Sequence, residues 1–550
     1  MPMANIYDKV PVKVQRKSGF DKSFQNLFTG KVGTIIPILT DELIPNTTVN
    51  LKMAITTQLP PLASDTFMRV KQKYAAFFVP SRLLVGGYER WLTNGDVNLA
   101  STSQTVVLPS YVLDTAQGKK CVAPGSLADY LGVKLPSYTD ASGDYPNLTV
   151  SAMPFLAYHR IYNDWFRNSL VQEDIYEEVV GLSYSCVAHK EHVYYNSDSD
   201  GYVQFSEGLS SIVAAHSDRY ADGVHLWELR QANFGSDLYT SCTPRPQNGS
   251  AQSVSMTVAD NATNFTISAL RAANSMQQFL ERNNLAGNRL VDYVKAQYGA
   301  NLNDAIAQRP ILLGSGAFDV YSKGVYQTAM GTSDSDNTTS PFYSTPAAKF
   351  GSAYVDGSDL IIKGFTAQEP GYLMVVTWLA PKVTYSTGID PMFMRYLGVG
   401  KQSDMANPIL QNVGNEPVYK KQLSAMAVLN NDTGVFGYND RYCNWKDKQD
   451  EVHGILRDGS SLQSFALQRT WNATVAAPEI STSFLQIPTN YLDQVGAVDT
   501  DMSHYGYWCD TFFDYKVSMP LARYSIPSLQ DPAYEHGEDV MIDKSGKQLT

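Results

Sequence analysis

The chain has 550 residues, of which 43% are hydrophobic, enough for a sizeable core and too many for wholesale disorder. Its formal charge of −11 excludes neutralising a polyanion by bulk charge, so any nucleic-acid contact must use a local basic patch. The opening MPMANIYDKV has no apolar signal core, and the longest apolar run, over residues 372–380, is too short to span a bilayer, so a soluble chain made in a cytoplasm is expected.

Taken in order, residues 1–30 carry Lys9, Lys13, Arg16, Lys17 and Lys22 against Asp8 and Asp21, with no sustained periodicity. This predicts an N-terminal arm. The run 34–39 predicts a first strand, residues 41–46 a turn, and the alternation of Val49, Leu51, Met53 and Ile55 a second strand. Residues 67–80 are the most informative. Met68, Val70, Tyr74, Ala76 and Phe78 share one face of an extended strand, while Arg69, Lys71 and Lys73 share the other. From Ala75 both faces are apolar, so the strand passes from a half-wet sheet into a core covered on both sides. Pro80 lacks an N–H for the ladder and stops it; Leu84, Tyr88 and Trp91 then recur at helical spacing.

Ser126, Asp129 and Gly132 mark a short capped helix. Residues 153–167 predict another, with Pro154 in its first turn and Tyr158, Ile161, Tyr162 and Trp165 as a core stripe. From 194 to 266 the texture turns polar and acids outnumber Lys and Arg, which predicts a long surface insertion. Within it, residues 196–207 match the spacing of a calcium loop, with Asn196, Asp198, Asp200 and Glu207 as oxygen ligands and Gly201 at the sharp turn. The apolar flank 193–195 reads as strand rather than an entering helix, and a solvated acidic turn is the competing reading. Helices return over 268–283, with Leu270, Ala273, Met276 and Leu280 on one face, and over 289–298, ending at Gly299. The last third is β again: 372–380 as a central strand, then 435–442, and a final alternating strand over 512–520. Beyond Leu529 the tail is polar.

Catalytic patterns fail on spacing. Gly314-Ser315-Gly316 is not a nucleophile elbow, Gly400-Lys401-Gln402 does not complete a phosphate loop, and His189-Lys190-Glu191-His192 lacks the spacing of a zinc protease. No enzyme is expected. The five cysteines (Cys121, Cys186, Cys242, Cys443, Cys509) are scattered and odd in number, which predicts free buried thiols. Tyrosine, at 34 copies, suits half-wet sheets and subunit contacts.

Several blocks resemble one family. Phe77-Phe78-Val79-Pro80-Ser81-Arg82-Leu83 is similar to the FFVPNRL block of Microviridae major capsid proteins, the gokushovirus-like group in particular. Gly125-Ser126-Leu127-Ala128-Asp129-Tyr130-Leu131-Gly132 resembles GSVADYLG, and residues 435–442 resemble VFGYQERY. About ten such blocks occur in order between residues ~18 and ~529. The β-rich ends fit an eight-stranded antiparallel jelly-roll barrel with long loop and helical insertions, mainly β in class.

The resemblance implies a structural protein of a T=1 icosahedral shell around a circular single-stranded DNA phage genome, with no cofactor beyond the candidate calcium. It implies a homo-oligomer whose partners are a small basic DNA-packaging protein, a minor or pilot capsid protein, single-stranded DNA and a host receptor. The virion would be assembled in the bacterial cytoplasm. On this reading residues 1–30 form a lumenal arm whose five cations face DNA, and 31–529 form one capsid domain. Residues 194–266 would project outward, 268–298 would be a helical insertion, and 530–550 a tail. A jelly-roll carbohydrate-binding or glycan-cleaving phage adhesin is the alternative.

Overall fold

The computed structural model describes residues 17–60, 69–84, 124–133, 148–172, 228–250, 267–322, 353–397, 408–426, 434–471, 478–495 and 506–521, with short pieces between them. The chain opens with strands β1 (Ser18–Asp21), β2 (Phe24–Gly30), β3 (Ile36–Leu43), β4 (Thr48–Gln58) and β5 (Val70–Pro80). After a helical excursion come β6 (Ile311–Asp319), β7 (Tyr321–Ser322), β8 (Ala353–Thr366) and β9 (Gly371–Pro381). A separate ribbon pairs β10 (Glu416–Tyr419) with β11 (Val435–Asn439), and β12 (Tyr507–Met519) comes last of the long strands.

Two antiparallel sheets result. The six-stranded sheet runs β1–β12–β4–β8–β7, with β2 sharing the β1 edge of β12; the four-stranded sheet runs β6–β5–β9–β3. In the first, Ser18 pairs with Met519 and Phe24 with Phe513 on one side of β12, while Val49 pairs with Val517 and Met53 with Phe513 on the other. β4 and β12 keep strict alternation because one of their faces is wet. Val49, Leu51, Met53 and Ile55 point inward, as do Tyr507, Cys509, Phe513, Tyr515 and Val517, and all are buried. β5 and β9 lose alternation because both their faces are covered.

The outer cover of the four-stranded sheet is helical. Helix α1 (Leu127–Leu131) is capped as expected: Asp129 N donates to Ser126 Oγ, and Gly132 takes a left-handed φ of 102°. Helix α2 (Met153–Ile161) continues into a π-helical turn, Tyr162–Phe166. Trp165 and Phe166 lie 5.5 and 6.3 Å from Phe77, and Phe166 meets Trp378 edge-on at 4.9 Å. The double-sided burial expected from Ala75 onward is therefore observed: residues 75–80 are all buried.

Between the sheets lies a polar seam. Gln72, fully buried on β5, accepts from Thr57 Oγ1 of β4 at 2.5 Å and donates to Thr377 Oγ1 of β9 at 3.4 Å. These bonds satisfy groups that burial would otherwise penalise by about 1–3 kcal/mol each. At one edge Asn26 Nδ2 of β2 donates to Ile38 O of β3 at 2.8 Å. Among the described residues that side-chain bridge stands where a ladder would close a barrel. The expected closed eight-stranded barrel is thus corrected to two facing open sheets, separated by two layers of side chains.

Other expectations change. The arm expected over 1–30 ends early: residues 18–21 and 24–30 are β1 and β2, with Phe24 stacked on Phe513 at 5.1 Å. The pair of polar residues Lys22 and Ser23 interrupts the alternation that would have announced them. The composition-based insertion is too long, since Ala232, Phe234, Leu238, Tyr239 and Cys242 are buried. Phe234 N donates to Leu485 O at 2.9 Å and Tyr239 packs on Tyr385 at 4.9 Å. Residues 228–250 therefore belong to the body. The helices α3 (Ile267–Ala286) and α4 (Leu290–Tyr298) form where expected, and Leu270 and Met276 of the apolar face are exposed. Cys242, Cys443 and Cys509 are buried free thiols; Cys121 and Cys186 lie outside the described residues.

Candidate functional site

The wet half of β5 carries Lys71 and Lys73 on the outer face of the four-stranded sheet, with Arg69 just before the strand and Lys382 just beyond β9. The loop 447–450 and the turn 235–237 complete a cleft of about 730 Å³. Arg69, Lys71, Lys382 and Lys448 are paired within the chain. Asp450 receives Lys382 at 2.5 Å and Arg69 at 3.8 Å, and Lys71 meets Asp319 at 3.4 Å. Lys448 pairs with Glu451 at 2.7 Å and Asp390 at 3.0 Å. Asp237 accepts from Tyr385 Oη at 2.6 Å and from Thr240 N at 2.7 Å. With charges of both signs interleaved, the cleft has little net pull on an anion.

A second groove, about 830 Å³, follows the edge where β2 and β3 part, against α1 and the start of β12. Phe24, Tyr130 and Trp508 line it with Asp129 and Asp510. Gln25 Nε2 donates to Asp510 at 2.8 Å and Trp508 Nε1 to Gln58 at 2.8 Å. Burial pushes the Tyr130 hydroxyl up to about 12, so it stays protonated and donates to Thr29 O at 2.5 Å.

No nucleophile is activated in either place. Burial raises the thiols of Cys242 and Cys443, and that of Cys509 to about 11, so these three are inert. His159 is buried beside Arg230 rather than exposed in a cleft. Among the described residues no group of three or more His, Cys, Asp or Glu could hold a metal, and no helix is long and apolar enough to cross a membrane.

The residues singled out from sequence divide as follows. Lys9, Lys13 and Arg16 lie outside the described residues. Lys17 Nζ donates to Thr48 Oγ1 at 3.2 Å. Lys22 pairs with Asp41, whose carboxylate also accepts from Tyr515 Oη at 2.7 Å, and its ammonium lies 5.5 Å from the Tyr515 ring. The Lys22 charge is thus spent in joining β3 to β12. Asn196, Asp198, Asp200 and Glu207 also lie outside the described residues. Val193–Tyr195, just before Asn196, pairs antiparallel with Val203–Phe205, which falls within the 196–207 stretch, so a strand rather than a helix enters the loop.

What the chain does present is apolar surface. Phe512 and Leu360 stand on the outer face of the six-stranded sheet, Met392 and Phe393 on a turn, and Ile267, Leu270, Met276 and Leu290 on the helical hairpin. Sequence reasoning missed this because an amphipathic stripe does not say whether its cover comes from the same chain. The family model described as capsid protein (F protein) matches residues 8–263 and 258–529. The chain belongs to this capsid protein family. Capsid protein VP1 of Chlamydia phage 1 is 25% identical over 616 residues, spanning 96% of this chain and 98% of that one. Capsid protein VP1 of Bdellovibrio phage phiMH2K is 25% identical, spanning 95% and 97%, and that of Spiroplasma virus 4 is 24% identical, spanning 91% and 93%. This capsid protein therefore has a structural role in an oligomeric shell, and its place is the virion. The exposed apolar patches of the isolated chain are what a shell subunit shows before its neighbours arrive.

Proposed function

We propose that this is the major capsid protein of a small single-stranded DNA phage, building a T=1 shell around a circular genome in the host cytoplasm. The observation that carries the proposal is the match to the capsid family over nearly the whole chain. The fold supports it. Eight strands stand in the orders β2–β12–β4–β8 and β3–β9–β5–β6, which fits a jelly roll of two facing four-stranded halves. A closed shell needs several different interfaces on each copy, and several separate apolar patches suit that.

The chain is too acidic to neutralise a genome by itself. A small basic packaging protein is therefore proposed to supply most of the countercharge. Lys9, Lys13, Arg16 and Lys17 would assist from the lumenal side, while Lys22, held by Asp41, would not. The minor or pilot capsid protein is kept as a further partner. The polar stretch 194–227 is proposed as the outward, receptor-facing surface, and the loop from Asn196 to Glu207 as a calcium site. Electron micrographs of the coexpressed components should show uniform small icosahedra. Only monomers under every condition would overturn the reading.

A further inference from the structure

The hairpin α3–α4 is a helical pair almost without a core. In α3 only Asn284 is buried, and in α4 no residue is. Large apolar side chains stay in solvent instead: Ile267 is 68% exposed, Leu290 62% and Leu270 and Met276 47% each. Ile409, 83% exposed, sits on the 3₁₀ turn Pro408–Val413, next to which Gly414 approaches Glu281 of α3. Five large apolar side chains exposed on one hairpin and the turn beside it are more than the isolated exposures of an ordinary surface, and such surface marks contact sites.

The hairpin is anchored at its turn end. Asn284 donates to Thr243 Oγ1 at 2.9 Å and Arg245 O at 2.6 Å. Arg289 donates to Asn163 O at 2.6 Å and Arg167 O at 2.8 Å. Going back along α3, Gln277 still reaches Gln247. Of residues 267–276, however, only Ala273 is even half-buried. A helical stretch of that length has little stability in water without packing. Among the described residues the body of the chain buries none of it, yet the sequence gives it three large apolar residues, Ile267, Leu270 and Met276.

We propose that the outer face of α3–α4 is a contact between copies of this chain, an inference that rests on the shell function proposed above. A second copy is the occupant that fits. The charges on the two helices nearly balance, three cations (Arg271, Arg282 and Lys295) against two acids (Glu281 and Asp292). A nucleic acid or an anionic membrane would call for an excess of cations. The size also fits: a 20-residue helix is about 30 Å long. With the shorter α4, and each helix about 10 Å across, the strip is roughly 400 Å², about half of the ~800 Å² each partner gives to a standard interface, as suits one of several contacts on a shell subunit.

The test uses the full-length chain coexpressed with its virion components, as wild type, as the double variant Leu270→Glu/Met276→Glu, and as Ser275→Cys. The double variant should leave the thermal unfolding of the unassembled chain unchanged and lower particle yield about tenfold or more. The cysteine at 275 should react with a bulky maleimide in the dissociated chain and be protected in particles, measured above the wild-type background. Normal particle yield, or a freely reactive cysteine in intact particles, overturns the inference while leaving the shell reading intact. A lowered unfolding temperature for the unassembled double variant also overturns it, because the face would then pack on its own chain. If the wild type forms no particles, the shell reading itself fails and takes this inference with it.

Discussion

Raising the pH past 10 tests the core directly. Tyr158, Tyr239, Tyr385, Tyr491, Tyr507 and Tyr515 are all buried, and burial raises the pKa of each above the ordinary value. Next to Tyr385 and Tyr515 the carboxylates of Asp237 and Asp41 push in the same direction. Below about pH 10 these phenols are protonated in both folded and unfolded chains, and their contribution to stability is complete. Above it the unfolded chain sheds protons that the fold retains, so stability falls as pH rises. At one unit above 10 each such tyrosine costs about 1.4 kcal/mol, and six together cost about 8 kcal/mol. That matches the whole stability of a typical domain, about 5–15 kcal/mol.

The assay follows tyrosinate absorbance and far-ultraviolet circular dichroism together through an alkaline titration of the unassembled chain. Exposed tyrosines should ionise smoothly near pH 10. The buried set should ionise in a second, steep step that coincides with loss of secondary structure. Smooth ionisation of every tyrosine with native dichroism retained would refute the reasoning.

Three further outcomes follow from single contacts. A Cβ at Gly314 would lie 2.2 Å from Ile361 O, so Gly314→Ala should cost about 1–3 kcal/mol in denaturant unfolding, whereas Gly19→Ala, with nothing within 4 Å, should be nearly silent. Asp164 accepts from Arg160 Nε at 2.7 Å in a largely buried pair, so Asp164→Ala should lower stability by about 3 kcal/mol; a change under about 1 kcal/mol would show the pair to be dispensable. Lys22→Met and Asp41→Asn should couple by about 0.5 kcal/mol in a double-mutant cycle, and Lys22→Met alone should leave DNA content unchanged in purified particles.

Much of the sheet structure was legible. β4, β5, β9 and β12 announce themselves because their side chains face one consistent environment over many residues, either alternating wet and dry or dry throughout. β6 and β8 do not. β6 contains Gly314 and Gly316, and the pairing of β8 shifts register between Leu360 and Ile362 and again before Phe365, so neither keeps a period long enough to read. β1 and β2 were hidden by the break at Lys22-Ser23. The residues 228–250 look like loop because they are polar and irregular, yet their few apolar side chains join the core, Phe234 against Tyr491 and Tyr239 against Tyr385. Assembly surfaces were the least legible, since Leu270 on a helix reads the same whether its cover comes from within the chain or from a neighbour.

The position of β12 sets the timetable of folding. It lies between β2 and β4, which emerge from the ribosome among the first 58 residues, yet β12 itself begins at Tyr507. At about 5–20 residues per second, β4 waits roughly 25–90 s for its partner. Throughout that time one long edge of β4 offers unpaired backbone groups to any other strand, including the same strand of a neighbouring nascent chain. The six-stranded sheet thus acts as a completion check: a chain stopped before Tyr507 cannot cover Leu51 and Met53 and should be drawn into aggregates rather than into a shell.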